Sequence, residues 1–194
     1  HDVLDYHNWE LIMNDIGNRI YSSLLESPQC GMFPPVLGKG KGPRRVRSPE
    51  YPYGLPDLTP AEKNAVRAST ACALRALDAA KRFDEKDLPF MLETSGKYEG
   101  NVNIFDLAEF KQALRSHPHW HVVELVQCQF GSVTVKPTRI LTNTNLPTLK
   151  NECTHKPFWH RLPSTGDWVW AAHPPLIGKE LAVPHWGWKP TRRT

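Results

Sequence analysis

The run Thr59-Pro60-Ala61-Glu62 constrains the fold more than any other stretch of this chain. Threonine suits a helix N-cap, proline suits the first turn because its missing N–H is one the helix leaves unused, and glutamate three residues on closes a capping box. Behind this start, Val66, Thr70, Ala73, Leu74, Leu77 and Ala80 fall on one stripe. That spacing predicts a long helix packed on a sheet, with Cys72 in its interior. Short apolar runs flank it: Ile20 to Leu25, closed by Ser27-Pro28, and Pro89 to Glu93. Both read as strands.

The same alternation continues along the chain. Asp5 caps a first helix with Trp9, Ile12, Met13 and Ile16 on one face, ending near Gly17-Asn18. Ile104, Leu107, Ala108, Lys111 and Leu114 predict a third helix, and His121 to Val126 and Arg139 to Asn143 predict strands around a turn. Helices alternating with strands define an α/β fold. The expected organisation is a Rossmann-like domain over residues 1–146, followed by an irregular extension rich in His, Trp and Pro over 147–194. A Gly- and Pro-rich connection from Gln29 to about Leu58 is roughly 30 residues long, which a compact domain seldom carries without a use.

Charge is unevenly spread. Lys39, Lys41, Arg44, Arg45 and Arg47 form a run without acids, and Lys189, Arg192 and Arg193 gather in the tail, so the overall +4 belongs to these two places. A polyanion held at a defined place is the expected partner, against the simpler reading of solvated loops. No stretch approaches the ~18 consecutive apolar residues of a membrane helix, so no membrane is expected as a partner. Four scattered cysteines argue against a disulfide framework and for a reducing, intracellular compartment. His1-Asp2-Val3 reads as a cut or processed boundary.

Ligands of parallel α/β sheets bind beyond the carboxyl ends of the strands. Here those ends carry Cys30, Glu93 and the segment Gln127 to Arg139. Ser27-Pro28-Gln29-Cys30 with Phe33, then Leu92-Glu93-Thr94-Ser95, then Phe130-Gly131 with Lys136 and Arg139 resemble, in order and spacing over residues 20–145, the catalytic half of the DNA cytosine-5 methyltransferase family. The resemblance implies Cys30 as nucleophile, Glu93 holding the target base, and Arg139 and Lys136 as supporting cations. Lys39, Lys41, Arg44, Arg45 and Arg47 would clamp the backbone of an extruded nucleotide. S-adenosylmethionine is the implied donor, its pocket supplied by an upstream segment or a partner protein. Gln29, Thr94 and Lys136 stand where the family has Pro, Asn and Arg. The alternative is therefore a catalytically degenerate fold that serves as a nucleic-acid-binding or assembly module. Read singly, Cys30 is also an ordinary buried thiol, Glu93 a partner for Lys97 or a cap near Asn103, and Lys136 and Arg139 strand-edge charges.

Two further features lie toward the carboxyl end. Cys153, His155 and His160 offer three zinc ligands, with Cys128 or His173 as the fourth, and a metal would order a segment poor in periodic structure. In the tail, Trp186 and Trp188 with Arg192 and Arg193 suit stacking on unpaired bases beside phosphate contacts, or anchoring on a partner protein. By contrast, His117, His119 and His121 read as a strand entrance.

Overall fold

A computed structural model describes residues 2–28, 33, 44–96, 102–132, 136–146, 152–161, 166–173, 176–177, 180–181 and 183–184. The chain forms two compact units, His1–Glu124 with Thr138–Leu149, and Leu125–Pro137 with Lys150–Thr194.

In the first unit, α1 (Tyr6–Gly17) starts where the Asp5 carboxylate accepts the Asn8 N–H at 2.9 Å. The long helix α2 (Pro60–Asp84) has the full capping box of Thr59 and Glu62, and buries Val66, Ala73, Ala76, Leu77, Ala80 and Phe83. It links β1 (Leu24–Glu26) to β2 (Phe90–Ser95), which lie parallel with Leu24 opposite Phe90. β3 (His121–Val126) and β4 (Pro137–Thr142) complete a four-stranded sheet in the order β1-β2-β4-β3, with β4 antiparallel to β2. The architecture is mixed α/β with a mixed parallel and antiparallel sheet.

The core lies between sheet and helices. Phe90, Leu92 and Leu141 are fully buried there with Phe83, Leu107 and Phe110, and Ile16 of α1 joins them. Trp120 meets Phe90 edge to face at 4.7 Å. Each fully buried side chain of this size stabilises the fold by about 1.5 to 3 kcal/mol.

Two expected elements differ. The first strand is confined to Leu24–Glu26, because Arg19 turns left-handed (φ 57°) and the Ile20 N–H returns to the Asp15 carbonyl. Ile20 is consequently exposed, and Leu25 points outward by strand alternation. The third helix is split: a 3-10 turn at Ile104–Asp106, capped by Asn103, precedes α3 (Ala108–Ser116), with the extended Leu107 between them. The helix therefore buries Phe110 and Ala113 and leaves Ala108 and Lys111 exposed. The break has a local cause, since the Asn103 amide also donates to the Ser95 carbonyl at 2.6 Å and ties the turn to the end of β2.

The second unit is more regular than its composition suggests. β5 (Phe158–Arg161) pairs antiparallel with β6 (Trp168–Ala171) and with β9 (Val183–Pro184), while β7 (Leu176–Ile177) pairs with β8 (Glu180–Leu181). Facing Trp159 and Trp170, edge on at 5.2 Å, hold the β5–β6 hairpin. The extension is thus built of strands.

Candidate functional site

The carboxyl ends of β1 and β2 meet at Glu93. Ser27, directly after β1, donates to a Glu93 carboxylate oxygen, and Pro28 behind it is buried. The parallel register alone explains the meeting, since Glu26 faces Leu92 and the next residue on each strand is Ser27 and Glu93. Burial pushes the Glu26 carboxyl up.

Arg139 is not brought to this carboxylate. In the β2–β4 register Glu93 faces Ile140 and Thr94 faces Arg139. Successive residues of a strand point to opposite sides, so Glu93 and Arg139 occupy opposite faces of the sheet. The guanidinium of Arg139 lies 3.1 Å from Glu124 and 5.4 Å from the Phe105 ring. Thr94 faces the interior, 1% exposed, 3.5 Å from the Asn103 amide.

Two cations of the expected clamp serve the fold instead. Arg44 binds Asp57 and Glu62 at 2.8 Å each, and its hydrogen bond is the first cause that holds the Glu62 carboxyl down at about 2. Arg47 is interior, 2% exposed, and donates to the Pro52 and Val66 carbonyls and to the Ser69 and Thr70 hydroxyls. Phe33 packs under its guanidinium at 4.0 Å, and burial lowers its pKa to about 10. The sequence counted Arg47 as a surface contact, and its enclosure corrects that reading. Arg45 is half-buried and Lys136 is exposed. Cys30, Lys39, Lys41, Lys97, Trp186, Trp188, Arg192 and Arg193 lie outside the described residues.

The strongest convergence of ligating atoms is in the second unit. One donor atom from each of Cys128, Cys153, His155 and His173 lies within 4.8 Å of every other, a group that could hold a metal ion. Cys128 sits buried in the 3-10 turn Gln127–Phe130, closed by Gly131 at φ 92°, where a side chain would be strained. Burial first, then a hydrogen bond with Cys153, pushes its thiol up. Cys153 and His155 precede β5, and His173 follows β6. Because Phe158 faces Ala171, the hairpin returns His173 beside His155. Gln129 secures the other side, donating to the Glu152 carbonyl at 2.8 Å and to the Thr154 hydroxyl at 3.2 Å.

This arrangement keeps two of the three expected ligands and replaces the third. His160 is fully buried on β5 with Nε2 3.0 Å from the Ala171 carbonyl, and burial lowers its pKa. The strand therefore uses His160 as interior packing, and both Cys128 and His173 take ligand positions. His117, His119 and His121 do not join a metal-ligating group among the described residues. Instead His117 stacks on Trp120 and His119 binds the Asp84 carboxylate at 2.9 Å.

Comparison with family models, curated proteins and solved structures gives no match in any of the three.

Proposed function

We propose that this chain is a nucleic-acid-directed, cytosine-5 methyltransferase-like module with a Rossmann-like sheet, its donor pocket supplied by another segment or chain. The Ser27–Glu93 contact carries the reading, because it puts the Glu93 carboxylate at the carboxyl end of the parallel pair and on Ser27, which stands three residues before Cys30 in sequence. In this proposal the Cys30 thiolate adds to an electron-poor pyrimidine ring, a proton delivered by the Glu93 carboxyl group neutralises the negative charge that develops on the base, and loss of the ring proton after methyl transfer expels the thiolate again. S-adenosylmethionine would supply the methyl group. Lys39 and Lys41, with the tail residues Trp186, Trp188, Arg192 and Arg193, would hold an unstacked strand. Zinc is the metal assigned to the Cys/His group, since two thiols and two imidazoles are a donor set it favours.

A second reading, a degenerate module that binds without catalysis, draws on the separation of Arg139 from Glu93 and the internal bonding of Arg44 and Arg47. Trapping separates the two. Full-length protein is incubated with a 5-fluorocytosine oligonucleotide and S-adenosylmethionine. Catalysis predicts a covalent adduct lost in Cys30→Ala and reduced in Glu93→Gln. Salt-sensitive binding without any adduct supports the module, and no binding at all refutes both.

A further inference from the structure

We infer that Cys128, Cys153, His155 and His173 form a closed, structural zinc site that clasps the second unit together. The inference rests on the zinc assignment and is independent of the nucleic-acid reading.

Geometry comes first. Tetrahedral coordination with Zn–S near 2.3 Å and Zn–N near 2.0 Å sets ligand atoms about 3.3 to 3.8 Å apart. Three of the six edges are 3.6 Å from Cys153 Sγ to His155 Nδ1, 3.2 Å from Cys153 Sγ to His173 Nε2, and 3.2 Å between the two ring nitrogens, and the edges to Cys128 Sγ lie within 4.8 Å. Hydrogen bonding alone does not account for this packing. One imidazole nitrogen carries either a proton or a lone pair, so His173 Nε2 cannot satisfy both close neighbours at once. A cation at their centre satisfies all four groups together.

The ligand count gives the role. Four protein ligands fill a tetrahedral zinc and leave no position for water or substrate, the mark of a structural rather than a catalytic centre. The second unit also needs such a tie. Both hydrophobic clusters of the described residues, the large one around Phe90 and the small one around Val46, are drawn from the first unit. Leu125, Val126 and Cys128 are the buried apolar side chains among those second-unit residues whose burial is described. A body of under about 60 residues is marginal on hydrophobic burial alone, and metal binding supplies folding free energy directly.

The ligands are also distributed as a clasp requires. Cys128 comes from the connection between β3 and β4, Cys153 and His155 from the strand entrance before β5, and His173 from the exit of β6. A single ion therefore joins the β3–β4 connection to the open end of the β5–β6 hairpin, whose two strands already pair with each other.

The test uses the full chain expressed with zinc. Metal analysis is expected to give about one equivalent, and cobalt exchange to give the intense visible bands of a tetrahedral ion with thiolate ligands. Hydrogen exchange then compares holo and chelator-treated protein. Removal should speed exchange at residues 125–132 and 152–173 at least tenfold and leave α2 and β2 unchanged, so the first unit acts as an internal control. Cys153→Ser and His173→Ala should each abolish stoichiometric zinc. Less than half an equivalent, or the weak bands of octahedral cobalt, overturns the site and the zinc assignment together. Zinc bound but removable without loss of protection overturns the clasp and leaves the assignment standing.

Discussion

Arg47→Ala decides whether the basic run serves the fold or a ligand. Four acceptors surround the guanidinium: the Pro52 carbonyl, the Val66 carbonyl at 2.9 Å, Ser69 Oγ at 2.8 Å and Thr70 Oγ1 at 2.9 Å. A hydrogen bond with one charged partner contributes about 1.5 to 3 kcal/mol net. The four do not simply add. The Ser69 and Thr70 hydroxyls also donate to the Val66 carbonyl, so alanine leaves these helix groups paired and deprives chiefly Pro52 of its donor. That amounts to one or two charged hydrogen bonds, about 3 kcal/mol, plus about 1 kcal/mol for packing over Phe33. Relief of the cation's burial offsets part of this, leaving an expected loss of about 3 kcal/mol. Urea unfolding followed by helical circular dichroism measures it. At a slope of about 2 kcal/mol/M the midpoint should fall by about 1.5 M with the slope unchanged. Arg47→Met, which keeps the stem, should lose less. A phosphate contact would behave otherwise, with stability moving by under about 0.5 kcal/mol and the salt dependence of nucleic-acid binding shallower by about one unit. That second pattern would refute the structural role.

Other perturbations test separate parts of the fold. Thr59→Ala removes the N-cap of α2 and should cost about 1 kcal/mol in the same urea assay. Phe90→Ala empties the center of the core beside Trp120 and should cost about 3 to 5 kcal/mol, read from the same midpoint. Burial raises the Asp84 carboxyl, but hydrogen bonds from His119 and Asn143 outweigh it and hold the folded pKa below its ordinary value. A group lowered in this way contributes stability that is fully present above the unfolded carboxylate pKa, about 4, and lost as pH falls through the folded value. Asp84→Asn should therefore flatten the loss of stability below about pH 4; an unchanged acid limb in urea titrations would contradict this account.

Features decided by near neighbours were legible in the sequence. Asp5 and Thr59 cap their helices where their side chains can reach their own chain, and the apolar stripe of α2 lies where its 3.6-residue period places it. The third helix was misread because its stripe ran through Leu107, a core residue whose extended backbone ends one turn and starts the next. The metal group was half legible. Cys153 and His155 stand two residues apart, but His173 arrives by the β5–β6 register and Cys128 from the β3–β4 connection, neither of which spacing can reveal. His160 looked equivalent to its neighbours, and only strand alternation turns it inward.

The basic residues show why a run of like charges is weak evidence for a ligand. Guanidinium groups have five donors, and the connection from Val46 to Leu55, whose own backbone bonds close only local turns and the Leu55–Val46 contact, uses them as ties to the helix beside it. Arg44 joins the loop to the start of α2 through Glu62, and Arg47 joins it to the next turns through Val66, Ser69 and Thr70. Together they fasten the connection along one helix, and the capping box gains a third member because Glu62 serves both Thr59 and Arg44. Arg139 repeats the pattern on the sheet, bound to Glu124 of the neighbouring strand. Cations already committed to internal acceptors cannot also neutralise phosphate without giving up those bonds. On the proposed function, nucleic-acid affinity would then come from Lys39, Lys41, Arg45, Lys136 and the cationic tail, and its salt dependence would reflect those charges rather than the whole run.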